Sequence, residues 1–133
     1  MANKSKKILS EISAGELLDK ISILEIKLEK IKDKSSLYEI NKEYESLKET
    51  QKSSIDITEK IKYLFDEIKN VNLELWNIED KLRNCEKNKD FGKTFIKLAR
   101  NVYFNNDKRS KIKSEINKLL GSNIKEIIQY VHY

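Results

Sequence analysis

From Ile57 to Cys85 the apolar residues Ile57, Ile61, Leu64, Ile68, Val71, Leu75, Ile78, Leu82 and Cys85 succeed one another at spacings of 4, 3, 4, 3, 4, 3, 4 and 3. That is an unbroken heptad seam, which a helix presents to a partner along its whole length. Neither Pro nor Gly interrupts it, so the spacing predicts a helix from Asp56 to Lys87, roughly 48 Å at 1.5 Å per residue. A helix of that length must have others laid along it. The chain contains no proline and only Gly15, Gly92 and Gly121, which leaves little material for β-turns. The expected fold class is all-α.

The flanking segments are patterned to supply those helices. Ser13 and Glu16 form an S-x-x-E capping box, after which Leu17, Ile21, Leu24, Leu28 and Ile31 repeat at 4-3-4-3 spacing. Leu18, Ile23 and Ile26 lie elsewhere around this first helix, so it should be covered on more than one side. Ser36 with Glu39 reads as a second capping box, leading a stripe of Leu37, Ile40, Tyr44 and Leu47. Asp56, with Glu59 behind it, reads as the cap of the long helix. A fourth helix is expected from near Asp90, stopping at Asn105, Asn106 and Asp107. A fifth should follow to Gly121, and a short last one should start at Ser122. The expectation is a bundle of three long antiparallel helices closed by two or three shorter C-terminal ones. Residues 1–133 should form a single helical domain, with a basic lead-in over residues 1–11 that frays.

A formal charge of +5 invites a nucleic-acid reading. However, the cations are almost all lysine, with arginine only at positions 83, 100 and 109, and they are interleaved with 22 acidic residues. Arginine is the better residue for forked phosphate and base contacts, so nucleic acid ranks third among the functional expectations. One cysteine, on the seam, and one histidine, His132, exclude a zinc finger. No segment has the ~20 apolar residues of a membrane span or the apolar core of a signal peptide. The expected location is the cytoplasm.

Three stretches, ISAGELLDKISILEIK (12–27), VNLELWNIEDKLR (71–83) and FIKLARNVYFNNDKRSKIKSEINKLLGS (95–122), resemble an uncharacterised family of small bacterial and phage proteins designated a domain of unknown function. Its pattern runs GELxDKxxILExK, then VNxxLWxIED, then LARxVYxxNDxR. The resemblance supplies no reaction. It implies that members sometimes lie near genes for envelope-glycan or lipopolysaccharide assembly. The matching polar positions are Glu16, Asp19, Lys20, Glu25, Lys27, Asn72, Trp76, Glu79, Asp80, Arg83, Asn106, Asp107, Arg109 and Lys113.

The long helix changes character halfway. Asn72, Glu79, Arg83 and Glu86 fall within about 60° of one another beside its seam, where earlier turns carry Ile61 and Phe65. The default reading is structural: Lys20 and Lys27 of the first helix meet Glu79 and Glu86 across a helix interface, as flanking charges do in coiled coils. The enzymatic alternative gathers Glu16, Asp19, Glu79 and Asp80 around a magnesium ion, as α-helical nucleoside triphosphate pyrophosphohydrolases do. The candidates for chemistry are then Glu79, Asp80 and Arg83. Trp76, Arg83, Arg109 and Lys113 are the candidate ligand-binding set, for stacking on a ring and gripping an anion. No phosphate-binding G-x-x-x-x-G-K-[ST] loop and no H-E-x-x-H motif is present. The leading expectation is a non-enzymatic accessory or binding protein that engages a protein partner or a second copy through helical faces. A magnesium-dependent enzyme acting on a nucleotide or another phosphorylated small molecule is the alternative.

Overall fold

A computed structural model describes residues 6–133, in which four helices follow one another: α1 (Ala14–Lys30), α2 (Lys34–Ser54), α3 (Glu59–Lys87) and α4 (Lys93–Leu120). No strand occurs among the described residues, and no helix among them is long and apolar enough to cross a membrane. Part of the expected basic lead-in, residues 1–5, lies outside the described residues. The stretch 6–12 is exposed and irregular.

The first three helices begin where a side chain can accept an unpaired first-turn N–H, whereas α4 starts at Lys93, not near Asp90, after Gly92 and with no side-chain cap. Ser13 caps α1 by accepting from the Glu16 amide at 3.1 Å. The other starts differ from expectation. Asp33, not Ser36, caps α2, because its carboxylate takes both the Ser36 amide and the hydroxyls of Ser35 and Ser36. Thr58, not Asp56, caps α3, accepting from the Ile61 amide at 3.2 Å.

The larger departure is at the C-terminal end. Asn105, Asn106 and Asp107 do not stop a helix; α4 runs through them as one element of 28 residues. Asn105 turns its amide back to donate to the Asn101 carbonyl at 2.9 Å. Its amide N–H is thereby paired inside the helix, while its side-chain oxygen is buried without a hydrogen-bond partner. Gly121 ends α4 with φ 60°, the left-handed conformation that glycine reaches without a Cβ penalty. No helix starts at Ser122. Its hydroxyl accepts from the Ala14 amide at 3.0 Å, and residues 122–133 lie as an irregular tail.

The shortest helix is the hub. α1 packs against α2, α3 and α4, α3 packs along α4, and α2 packs on α1 alone. Its apolar residues explain this: Leu17, Leu18, Ile21, Leu24 and Ile26 are all buried although they point around most of the helix. The core gathers Leu17, Leu18 and Ile21 with Ile61, Leu64 and Ile116, and Tyr44, Leu47, Ile55 and Phe65 close over it. Each such Leu or Ile contributes about 1.5–3 kcal/mol by leaving water. Leu18 lies by Ile61, while Ile26 lies by Leu75 and Trp76, so α1 and α3 run in the same direction. α4 runs against α1, pairing Gly15 with Asn117 and Asp19 with Arg109.

Candidate functional site

The face that α4 turns to α1 is polar. Arg109, Lys113 and Asn117 recur every four residues, which stacks them one above another on a helix. Each meets a group of α1. The Asn117 side chain accepts from the Gly15 amide at 2.7 Å. Lys113 donates to Glu16 at 2.8 Å and to Glu126 of the tail at 3.0 Å. Arg109 clasps Asp19 with two N–H donors, Nε to Oδ1 at 2.9 Å and Nη2 to Oδ2 at 2.5 Å. Asp19 is only 1% exposed. The third helix completes its shell: Asn72 donates to Asp19 Oδ1 and to the Ser22 hydroxyl, both at 2.8 Å, and Ser22 donates to the Asp19 carbonyl. The hydrogen bonds to Asp19 come first among the causes that raise the Arg109 pKa, overcoming partial burial. A buried carboxylate so fully bonded is framework.

A second knot joins the other helices. Glu25 accepts the Tyr44 hydroxyl of α2 and the Lys69 ammonium of α3, each at 3.1 Å, and Lys69 also reaches Glu29 at 3.1 Å. These, rather than Lys20 and Lys27 with Glu79 and Glu86, are the ion pairs between α1 and α3. Asn72 docks beside Asp19 and Ser22, and in that register Lys69 falls beside Glu25 and Glu29. Lys20 pairs with Glu16 on its own helix at 3.8 Å, and Glu86 pairs with Lys89 at 3.7 Å.

Above the Asp19 clasp the helices part to leave a groove of about 410 Å³ lined by Ile23, Ile26, Asn72, Leu75, Trp76, Glu79, Asp80, Arg83 and Arg109. Trp76, Glu79, Asp80 and Arg83 stand at i, i+3, i+4 and i+7, one stripe of α3. The groove therefore has an apolar wall, with Trp76 half-buried among Leu75, Ile23 and Ile26, and a charged rim. Among the described residues no ion pair engages Glu79, Asp80 or Arg83, and all three are exposed. Arg109 stands with its Nε and Nη2 fixed on Asp19, so its position in the groove is set in advance.

A model of a family of unknown function, DUF6165, matches residues 8–131. The chain belongs to that family. No curated protein and no solved structure matches it. In this DUF6165 chain the expected magnesium quartet is divided between two environments. Glu16 and Asp19 are bound to Lys113 and Arg109 inside the framework, while Glu79 and Asp80 stand on the groove. Among the described residues no three His, Cys, Asp or Glu side chains form a group that could hold a metal ion. The candidate ligand-binding set divides too. Trp76, Arg83 and Arg109 line the groove, whereas Lys113, one turn beyond Arg109, is 7% exposed and held by two carboxylates. Sequence reasoning did not identify the groove's apolar wall of Ile23, Ile26 and Leu75. The off-seam position of Ile23 and Ile26 was the available signal. Asn117 was the other omission, although its place four residues past Lys113 and eight past Arg109 was readable in the sequence.

Proposed function

We propose that this chain is a non-enzymatic cytoplasmic binding protein whose ligand is a sugar-like, polyhydroxylated ring compound seated in the groove between α1 and α3. The observation that carries the reading is Trp76 in an apolar wall beside Glu79, Asp80 and Arg83, side chains that no ion pair engages among the described residues. A sugar ring has an apolar face that suits an indole and hydroxyls that donate to carboxylates and accept from guanidinium. That combination matches wall and rim together. A purely anionic ligand would meet Glu79 and Asp80 as repulsion, so any phosphate on the ligand belongs toward Arg83 and Arg109. The ligand class suits the envelope-glycan setting that the sequence resemblance implies. The cytoplasmic placement rests on Cys85, a buried free thiol.

Trp76 is the only tryptophan, so its fluorescence reports on this groove alone. Titration with simple sugars, sugar phosphates and sugar nucleotides should give a saturable change with at least one class. Arg83→Gln should weaken binding of that compound by about 10- to 100-fold, the equivalent of one charged hydrogen bond. A flat response to every class, or binding indifferent to Arg83→Gln and Asp80→Asn, would contradict the proposal.

A further inference from the structure

A second cavity, about 320 Å³, lies at the other end of the bundle, between the C-terminal turns of α2 and the start of α3, with α1 beneath. It shares no residue with the Trp76 groove. Leu18, Ile57, Ile61 and Phe65 make its floor and walls, and Lys48, Lys62 and Gln51 complete its lining. Leu18 and Ile61 are each 1% exposed, so the floor is the hydrophobic core itself.

The charges around it are the informative part. Where this chain buries a lysine between helices it surrounds the ammonium with two carboxylates, Glu25 and Glu29 for Lys69, Glu16 and Glu126 for Lys113. At this cavity the two lysines are nearer the surface, Lys48 half-buried and Lys62 exposed, and neither has a carboxylate partner among the described residues. Lys48 reaches only the neutral Gln51 carbonyl, at 3.5 Å. No acidic residue lines the cavity. Two cations beside an apolar pocket are complementary to a molecule with an apolar body and one anionic end. We infer that this cavity is a binding site for a small amphipathic anion, with its hydrocarbon part against Leu18, Ile61 and Phe65 and its charged head between Lys48 and Lys62.

The test uses the intact chain labelled with ¹⁵N and ¹³C, titrated with octanoate, octylamine and inorganic phosphate. Octanoate should shift the resonances of Leu18, Ile61 and Phe65 in a saturable, one-to-one manner. Octylamine has the same body with the opposite charge and phosphate lacks the body, so both should bind at least ten times more weakly. Lys48→Gln/Lys62→Gln, changes near the surface that leave the core intact, should weaken octanoate about tenfold without lowering the melting temperature. Equal binding of octanoate and octylamine, octanoate shifts centred on other residues, or no saturation at millimolar octanoate would each overturn the site. Phosphate binding as tight as octanoate would also do so, reducing it to a plain anion patch.

Discussion

At the scale of single residues, Gly15, Asp19 and Glu79 show what the packing of helices decides. Gly15 is fixed by a neighbour: a Cβ built there would stand 2.6 Å from the Lys113 carbonyl, backbone that cannot turn aside. Gly15→Ala should therefore push α1 off α4 and cost about 1–3 kcal/mol in a urea unfolding experiment, with the midpoint lowered and the slope unchanged. Asp19 and Glu79 look alike in the sequence, both acids among apolar residues on long helices. Only the structure separates them, because the partner of Asp19 is ninety residues away. Helical periodicity specifies which residues share a face but carries no information on which face of another helix will meet it. Of the polar flank expected on α3, Asn72, Glu79 and Arg83 line the groove and Glu86 does not; the removal of Asp19 and Glu16 into ion pairs was not legible at all.

At the scale of elements, the continuity of α4 is the largest departure from the sequence pattern. Three consecutive polar residues, Asn105, Asn106 and Asp107, have the composition of a stop and cap, and helix propensity alone favours reading them so. The helix nevertheless continues through them, with Asn105 buried and its amide turned to the Asn101 carbonyl. The capping errors at α2 and α3 were of one kind, with a better acceptor two or three residues away. Lys113 gives this ladder a measurable pH signature. Burial opposes its charge, but the hydrogen bonds to Glu16 and Glu126 outweigh it and raise its pKa above the ordinary 10.5. A raised folded-state pKa means that the stabilisation is fully present below about pH 10.5 and is lost as pH climbs through the folded value. Lys69 and Tyr44, also raised, act in the same direction. Unfolding free energy should thus fall as pH rises above about 10.5, and Lys113→Met should fall less steeply over that range. Parallel slopes in the two proteins would show that Lys113 is not held by its carboxylates.

At the scale of the whole molecule, α1 is the centre although α3 is the most conspicuous segment of the sequence. The heptad seam of α3 led correctly to an all-helical chain, and its Ile61, Leu64, Ile68, Ile78 and Cys85 are buried. Yet the helix whose residues reach all three others is the one of 17 residues, and its apolar residues off the main seam were the sign of it. The same helix carries Asp19 in its buried side and Ile23 and Ile26 in the groove, so framework and candidate site share one element. Asp19 is bound into the fold, while Glu79, Asp80 and Arg83 stand exposed on the groove, where we propose that they meet a ligand. Thermal unfolding of two variants tests this division directly. Asp19→Asn leaves Arg109 without its counter-charge, which costs about 3 kcal/mol, and should lower the melting temperature by about 10 °C in a chain of this size. The triple variant Glu79→Gln/Asp80→Asn/Arg83→Gln should melt within about 5 °C of the parent, since exposed changes away from ion pairs stay within ~0.5 kcal/mol each. A triple variant that melts as far below the parent as Asp19→Asn, or an Asp19→Asn protein as stable as the parent, would contradict it.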